Sequence, residues 1–155
     1  MKKVGTVALK TTVYTYNGKV KKPAVVAKND KKKVISASDY TVKYAAGRKN
    51  VGKYSVTVTF KNGYKGKYTK TFTILPKGTK MSSVKAAKKA FTAKWAKQSV
   101  QTTGYQVQYS TSKNFKKSVK TATISKNKTV SKTVKKLKAK KTYYVRVRTY
   151  KTVKV

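Results

Sequence analysis

The stretch Tyr105-Gln106-Val107-Gln108-Tyr109 alternates apolar and polar residues, and this period of two predicts a β-strand with one buried and one solvated face. The same alternation occurs at residues 54–60 and again at residues 143–148. Helical periodicity is poor. The one helix-like window, residues 82–93, is rich in alanine and lysine, but it runs into a segment that alternates up to Trp95. We therefore predict that this window is extended as well.

Turn residues separate these segments at short intervals. Asn-Gly and Lys-Gly pairs at 17–18, 62–63 and 65–66 are typical of tight turns between strands. Many short strands with turns between them indicate a β-sandwich rather than an α/β fold. Pro76 ends one strand series, and a second series begins after residue 80. The sequence predicts an all-β protein with two tandem immunoglobulin-like sandwich domains, residues 1–76 and 81–155, joined by a linker at residues 77–80.

The composition argues against catalysis. The 155 residues include no histidine, no cysteine and two carboxylate side chains, Asp30 and Asp39. Acid–base catalysis near neutral pH relies mostly on histidine and tuned carboxylates, and metal sites use clusters of histidine, cysteine and carboxylate ligands. We therefore predict no enzyme activity, no catalytic residues, no bound cofactor and no metal. No run of residues is apolar enough for a membrane-spanning helix.

Charge is the outstanding property of this chain. Lysine and arginine total 41 against 2 acidic residues, which gives a formal net charge of +39. A small soluble domain usually works with a net charge of about 2–8 in magnitude. Ion pairs within the chain cannot neutralise such an excess, so self-repulsion lowers stability and polyanions are attracted. The ratio of 38 lysines to 3 arginines favours unspecific attraction over bidentate recognition.

The second half contains three motifs with informative spacing: Phe91-x-Ala93-x-Trp95, Gly104 to Tyr109, and Leu137-x5-Tyr143-x-Val145. Through these motifs the second half resembles a fibronectin type III domain. They are similar, in that order, to the family's second strand, its third strand, and the segment before and within its sixth. The resemblance covers residues 80–150. It implies that Tyr143 hydrogen-bonds back to the preceding loop. It also implies the following core residues: Trp95, Tyr105, Leu137, Tyr143 and Val145.

The resemblance has one departure, at the last strand of the type III fold. The chain stops five residues after Tyr150, so residues 151–155 either form a stub of that strand or leave a sheet edge open. An open edge permits pairing with another chain by strand addition.

The first half contains an ordered series of motifs that spans residues 7–76: Tyr14-x-Tyr16-Asn17-Gly18-Lys19, Pro23-x-Val25, Asp39-Tyr40-x-Val42-x-Tyr44, Asn50-Val51-Gly52-x-Tyr54, Gly63-Tyr64-x-Gly66 and Phe72-x-Ile74-x-Pro76. In this series the first half resembles a bacterial immunoglobulin-like module of repeat-containing surface proteins from Gram-positive bacteria. Such modules occur in series, and the resemblance implies an architectural or adhesive role at a cell surface. The opening Met1-Lys2-Lys3 is followed by no apolar segment before Lys10, so we expect no signal peptide in this chain. The absence of cysteine fits that surface and the cytosol equally.

Basic and aromatic residues interleave on the expected outer face of the last strand. Such a face can stack bases and neutralise phosphates, or it can be an ordinary solvated sheet face with cross-strand pairs. The candidate polyanion contacts are Arg146, Arg148, Tyr144 and Tyr150, together with the lysine run Lys135, Lys136, Lys138, Lys140 and Lys141.

These observations favour a non-catalytic surface, adhesion or spacer module that associates electrostatically with anionic polymers such as teichoic acid, glycans or nucleic acid. Three alternatives stay open. One is a dedicated nucleic-acid-binding or condensing protein, for which the charge is suggestive. A second is an engineered cationic scaffold, since so few acids are unusual in a natural protein. A third is a self-assembling subunit, a homo-oligomer formed through the open sheet edge.

Overall fold

Twelve β-strands and one short 3₁₀ turn form the regular structure of the computed structural model, which describes residues 2–153. The chain divides into two units, Met1–Leu75 and Pro76–Val155. The predicted all-β fold is confirmed.

The first unit contains six strands in two sheets. Strands β1 and β3 pair with each other, and the order of the second sheet is β2-β6-β5-β4. All pairs are antiparallel except β2 with β6, which is parallel. The strands are β1 Val4–Leu9, β2 Val13–Thr15, β3 Val25–Asn29, β4 Tyr40–Tyr44, β5 Gly52–Phe60 and β6 Lys67–Leu75, with the 3₁₀ turn at Ala37–Asp39.

The core of the first unit follows from the alternation along its two longest strands. Val56 and Val58 of β5 and Phe72 and Ile74 of β6 are buried. Within each pair the intervening threonine is only half-buried. The Phe72 ring lies against Tyr14 and Tyr54, at centroid distances of 5.8 and 5.6 Å. Burying several aromatic rings lets a domain of this size exclude enough apolar surface from water to fold.

The second unit contains two three-stranded sheets. Their orders are β11-β8-β7 and β10-β9-β12, and every pair is antiparallel. The window at residues 82–93 falls in β7 and β8 except for a turn at residues 88–89, so its predicted extended conformation is confirmed on both sides of that turn. The strands are β7 Met81–Ala87, β8 Ala90–Trp95, β9 Gly104–Ser110, β10 Lys120–Ile124, β11 Ser131–Val134 and β12 Tyr144–Tyr150.

Facing residues of β8 and β9 form the core of the second unit. Phe91 and Trp95 of β8 are buried, as are Tyr105 and Val107 of β9. The rings of Trp95 and Tyr105 have centroids 5.3 Å apart. Of the other residues assigned to the core from sequence, Leu137, Tyr143 and Val145 are half-buried. Leu137 and Val145 pack against the cluster from its margin, and the Tyr143 ring contacts Tyr109.

The last strand begins one residue later than the sequence alternation indicated. Tyr143 precedes β12, and its hydroxyl accepts a hydrogen bond from the backbone N–H of Lys138 at 3.0 Å. This bond ties Tyr143 to the loop before the strand. After Tyr150, residues 151–153 form no strand, and residues 154–155 lie outside the described part of the chain. Within residues 2–153, β12 therefore pairs with β9 alone.

Candidate functional site

Two arginines of β12 are held by glutamines of the neighbouring strand. Arg146 lies opposite Gln108 and Arg148 opposite Gln106 in the antiparallel register. In each pair the arginine Nε donates to the glutamine Oε1 at 2.7 Å. Because only Nε is used in these bonds, the terminal nitrogens of each guanidinium remain as donors for an anion.

The row of side chains continues onto the third strand of the sheet. Gln106 Nε2 donates to Thr123 Oγ1 at 3.4 Å, and Gln108 Nε2 donates to Thr121 Oγ1 at 3.3 Å. Each arginine is thus the end of a polar row that crosses β10, β9 and β12. We call the six residues the arginine ladder: Arg146, Arg148, Gln106, Gln108, Thr121 and Thr123.

An aromatic ring further restricts Arg146. The guanidinium carbon lies 4.1 Å from the ring centroid of Phe115, a residue of the loop between β9 and β10. A cation over an aromatic face is attracted by the ring quadrupole, by about 0.5–1 kcal/mol at exposed sites. Arg146 is therefore oriented by both Gln108 and Phe115, which reduces the side-chain entropy that it loses on binding an anion.

The alternation of β12 places Tyr144 and Tyr150 on the same face as the arginines. Tyr144 lies opposite Ser110 and Tyr150 opposite Gly104, at the two ends of the paired segment. Both tyrosines are half-buried, whereas both arginines are exposed. The four residues therefore form one face with the charged groups in its centre.

The lysine run lies on a separate element, the loop between β11 and β12. Its five lysines are all exposed, and Leu137 between them packs on the core. The loop is anchored by Leu137, whose N–H donates to the Lys89 carbonyl at 2.9 Å, and by the bond from Lys138 to Tyr143. The lysines therefore flank a segment of the loop whose backbone is held in place, and they are not part of the arginine ladder. They are Lys135, Lys136, Lys138, Lys140 and Lys141.

The match to known protein families decides how this unit is classified. The fibronectin type III domain family matches residues 75–154, which is more than half of the chain. The chain belongs to the fibronectin type III family. The part of the resemblance that concerned residues 80–150 is therefore confirmed, and we refer to residues 76–155 as the type III unit.

Solved structures that are similar to the chain share little sequence with it. The crystal structure of chicken CNTN1 FN1-FN3 domains is 16% identical with a TM-score of 0.46, and the match covers 96% of this chain and 61% of that one. Domains A168-A170 from titin are 16% identical with a TM-score of 0.36, and the match covers 97% and 61% of the two chains. This chain thus spans about three-fifths of the length of either. No curated protein matches its sequence closely enough to count as a relative.

Across residues 2–153 there is no cluster of three or more histidine, cysteine or carboxylate side chains. Burial raises the pKa of Tyr44 and of Tyr54, because the phenolate is poorly solvated there. Their hydroxyls donate to the carbonyls of Pro23 and Asn50, which is a structural role. None of the described helices is long and apolar enough to cross a membrane.

Two features of the site were not anticipated from the sequence. The glutamines and threonines that orient the arginines were assigned only to a solvated sheet face, and Phe115 was given no role. The sequence contains one signal for these contacts: Gln106 and Gln108 are two residues apart, as are Arg146 and Arg148. That signal is informative only once the strand register is known.

Proposed function

We propose that this chain is a non-catalytic adhesion or spacer module that holds anionic polymers on the cationic surface of its type III unit. The arginine ladder is the observation that carries the proposal, because it orients two guanidinium groups toward solvent without neutralising them. The family supports an adhesive or spacing role, and the lack of histidine and cysteine supports a role without catalysis.

The proposed location is extracellular, on the surface of a Gram-positive bacterium. Type III domains are typically extracellular, and the resemblance of residues 7–76 to bacterial surface modules agrees with this location. Teichoic acid and acidic glycans are the polymers that such a surface offers. Binding occurs by release of counterions from the polymer, so specificity is weak and affinity depends on salt.

A salt titration of binding to duplex DNA, heparin and teichoic acid tests this proposal. We expect similar affinities for all three polymers, with parallel slopes of log affinity against log salt. If about two polymer charges are neutralised, affinity falls about tenfold between 50 and 200 mM salt. Fluorescence anisotropy with labelled polymers measures each curve.

The same titration separates the proposal from a dedicated nucleic-acid-binding function. A preference for duplex DNA of about tenfold or more that persists at high salt requires contacts beyond counterion release. That result would replace the surface-module proposal with nucleic-acid binding.

A pair of double variants tests whether the arginine ladder is a local contact. We expect Arg146→Gln with Arg148→Gln to weaken heparin binding about tenfold, because two oriented guanidinium groups are lost. The matched control, Lys94→Gln with Lys132→Gln, removes the same charge from exposed positions on the other sheet. We expect it to weaken binding only about two- to threefold, through the lower net charge.

The charge-conserving double variant Arg146→Lys with Arg148→Lys completes this comparison. Lysine cannot present the planar fork of donors, so affinity should fall between those of the two glutamine variants. Equal losses of heparin affinity in the ladder variants and in the lysine control would show that binding depends only on the net charge of the protein. The arginines of β12 would then form no local contact of their own.

A further inference from the structure

The sheet face that bears the arginine ladder differs in charge from the rest of the protein. The chain has 41 basic residues, yet Arg146 and Arg148 are the only charged residues that the described strands β9, β10 and β12 place on this face. Their neighbours on these strands are glutamine, threonine, serine, glycine and tyrosine. Both acidic residues, Asp30 and Asp39, precede the type III unit. The positive charge of this face therefore has two fixed positions.

The two charges are arginines, which are rare in this chain. Of the three arginines, Arg48 of the first unit donates to the carbonyls of Lys21 and Ala45, one of them through a terminal nitrogen. Arg146 and Arg148 use Nε for their glutamines. The terminal nitrogens of a guanidinium present parallel N–H donors to one phosphate, which the ammonium group of lysine cannot do. Each arginine of the ladder can therefore orient one phosphate group.

The strand sets the distance between the two guanidinium groups. Arg146 and Arg148 are two residues apart on β12, and a strand rises about 3.3–3.4 Å per residue, which separates them by about 7 Å. Each makes the same bond to a glutamine at 2.7 Å, and the two glutamines are also two residues apart. Equal contacts displace both side chains alike, so the spacing of the backbone is kept at the guanidinium groups. A ligand whose anionic groups recur at about 7 Å meets both arginines.

A phosphodiester chain with three carbons between its phosphates has this repeat. Two residues of extended peptide contain six backbone bonds and span at most about 7 Å. Such a phosphodiester chain also has six bonds from one phosphorus atom to the next, so its extended repeat is about 7 Å as well. Polyol phosphates of the teichoic acid type and nucleic acid strands share this six-bond repeat. Two consecutive phosphates of either chain can therefore contact Arg146 and Arg148 together.

The aromatic rings of the site favour a chain without bases. Unspecific binding of nucleic acid single strands uses aromatic side chains on which successive bases stack. One face of the Phe115 ring is covered by Arg146, whose guanidinium carbon lies 4.1 Å from the ring centroid. Tyr144 and Tyr150 are half-buried and lie beyond the two arginines, at the ends of the paired segment. None of these three rings is placed to stack a base between the two phosphate positions.

We infer that the arginine ladder binds a linear polyol phosphate chain, with two consecutive phosphates on Arg146 and Arg148. The terminal nitrogens of each arginine donate to one phosphate, and the glutamines hold the two arginines at the repeat of the chain. This inference rests on the proposed function and names the polymer that its site prefers. The preference adds a few-fold to the attraction by the whole charge, so it is compatible with the similar affinities expected in the salt titration.

Two synthetic oligomers with equal numbers of phosphates test the spacing. One joins its phosphates through propanediol and has the six-bond repeat, whereas the other uses hexanediol and has a nine-bond repeat of about 10 Å. Neither contains bases or sugars. At about 0.3 M salt, where attraction by the dispersed lysines is strongly screened, we expect the propanediol oligomer to bind about fivefold more tightly. The hexanediol oligomer reaches both arginines only in bent conformers, which costs conformational entropy.

A single variant separates the spacing from the charge density of the oligomer, which also favours propanediol. Arg148→Gln leaves one guanidinium group, which contacts one phosphate and cannot distinguish the two repeats. We expect the ratio of the two affinities to fall from about fivefold to below about twofold. The matched control Lys94→Gln removes the same charge from an exposed position on the other sheet and should keep the ratio. Because both oligomers are measured on one protein sample, any loss of folded protein cancels in the ratio.

An oligothymidylate with the same number of phosphates distinguishes a polyol phosphate from a nucleic acid strand. It has the six-bond repeat and a base on every unit, and we expect it to bind as tightly as the propanediol oligomer. Binding about tenfold tighter at about 0.3 M salt would show that bases contribute and would assign the site to nucleic acid instead.

The same measurements show separately whether the inference or the proposed function fails. An equal ratio of the two oligomer affinities in the unmodified chain and in Arg148→Gln would overturn the inference and leave polyanion binding intact. Absence of binding to every oligomer at about 50 mM salt, where counterion release is most favourable, would overturn the proposed function as well.

Discussion

Phe91→Ala is expected to lower the free energy of unfolding of the type III unit by about 3–5 kcal/mol. The ring is 4% exposed and lies in the cluster formed by β8, β9 and β11. It packs edge-on against Tyr109, with the ring centroids 5.5 Å apart. Alanine removes the apolar surface of the ring and leaves a hole that the rigid pair of sheets can close only in part.

A loss of this size is comparable with the whole stability of a small domain, which lies near the lower end of about 5–15 kcal/mol. Trp95 is the single tryptophan and belongs to the same core, so its fluorescence during urea denaturation reports on this unit. The control Val100→Ala changes a side chain that is 53% exposed. It should alter stability by less than about 0.5 kcal/mol. If Phe91→Ala cost as little as this control, the packing of the two sheets would differ from that described.

Most of the fold was predictable because alternation is a local property. In β8, the alternating residues Phe91, Ala93 and Trp95 are buried. Thr92 between them is half-buried, and Lys94 is exposed. Tyr105 and Val107 of β9 are likewise fully buried. A period of two needs no knowledge of the partner strand, since it states only which side chains share a face.

The arginine ladder was only half predictable, because it depends on register. Alternation placed Arg146 and Arg148 on the outer face, yet their contacts with Gln108 and Gln106 span 38 and 42 residues of sequence. Pairing strands one residue out of step would oppose these arginines to core-facing residues instead. The contact of Arg146 with Phe115 depends in addition on a loop whose conformation no pattern predicts.

Strand β9 connects the core to the candidate site. Its inward residues Tyr105 and Val107 fill the core, and its outward residues Gln106 and Gln108 orient the arginines. Every second residue therefore fills the core, and the residues between them orient the groups that the proposed function assigns to binding. A change on the inward face should lower stability and leave the affinity of the folded protein for polyanions intact.

Tyr105→Phe is the sharpest test of that separation, and we expect it to cost about 2–3 kcal/mol of stability. The side chain is fully buried. Its hydroxyl donates to the Asn127 carbonyl at 2.7 Å and accepts from the Gln98 N–H at 2.8 Å. Phenylalanine keeps the ring and its packing on Trp95 but leaves both of these backbone groups without their partner, and buried unpaired polar groups are expensive.

Urea denaturation followed by Trp95 fluorescence measures this loss, with Tyr150→Phe as the control that removes a hydroxyl from the outer face of β12. The control should change stability by less than about 0.5 kcal/mol. Heparin affinity at low temperature, where Tyr105→Phe remains folded, should equal that of the unmodified chain. A weaker heparin affinity of folded Tyr105→Phe would mean that the hydroxyl also sets the position of β9. The two faces of β9 would then not act independently, because a change in the core would alter the arginine ladder.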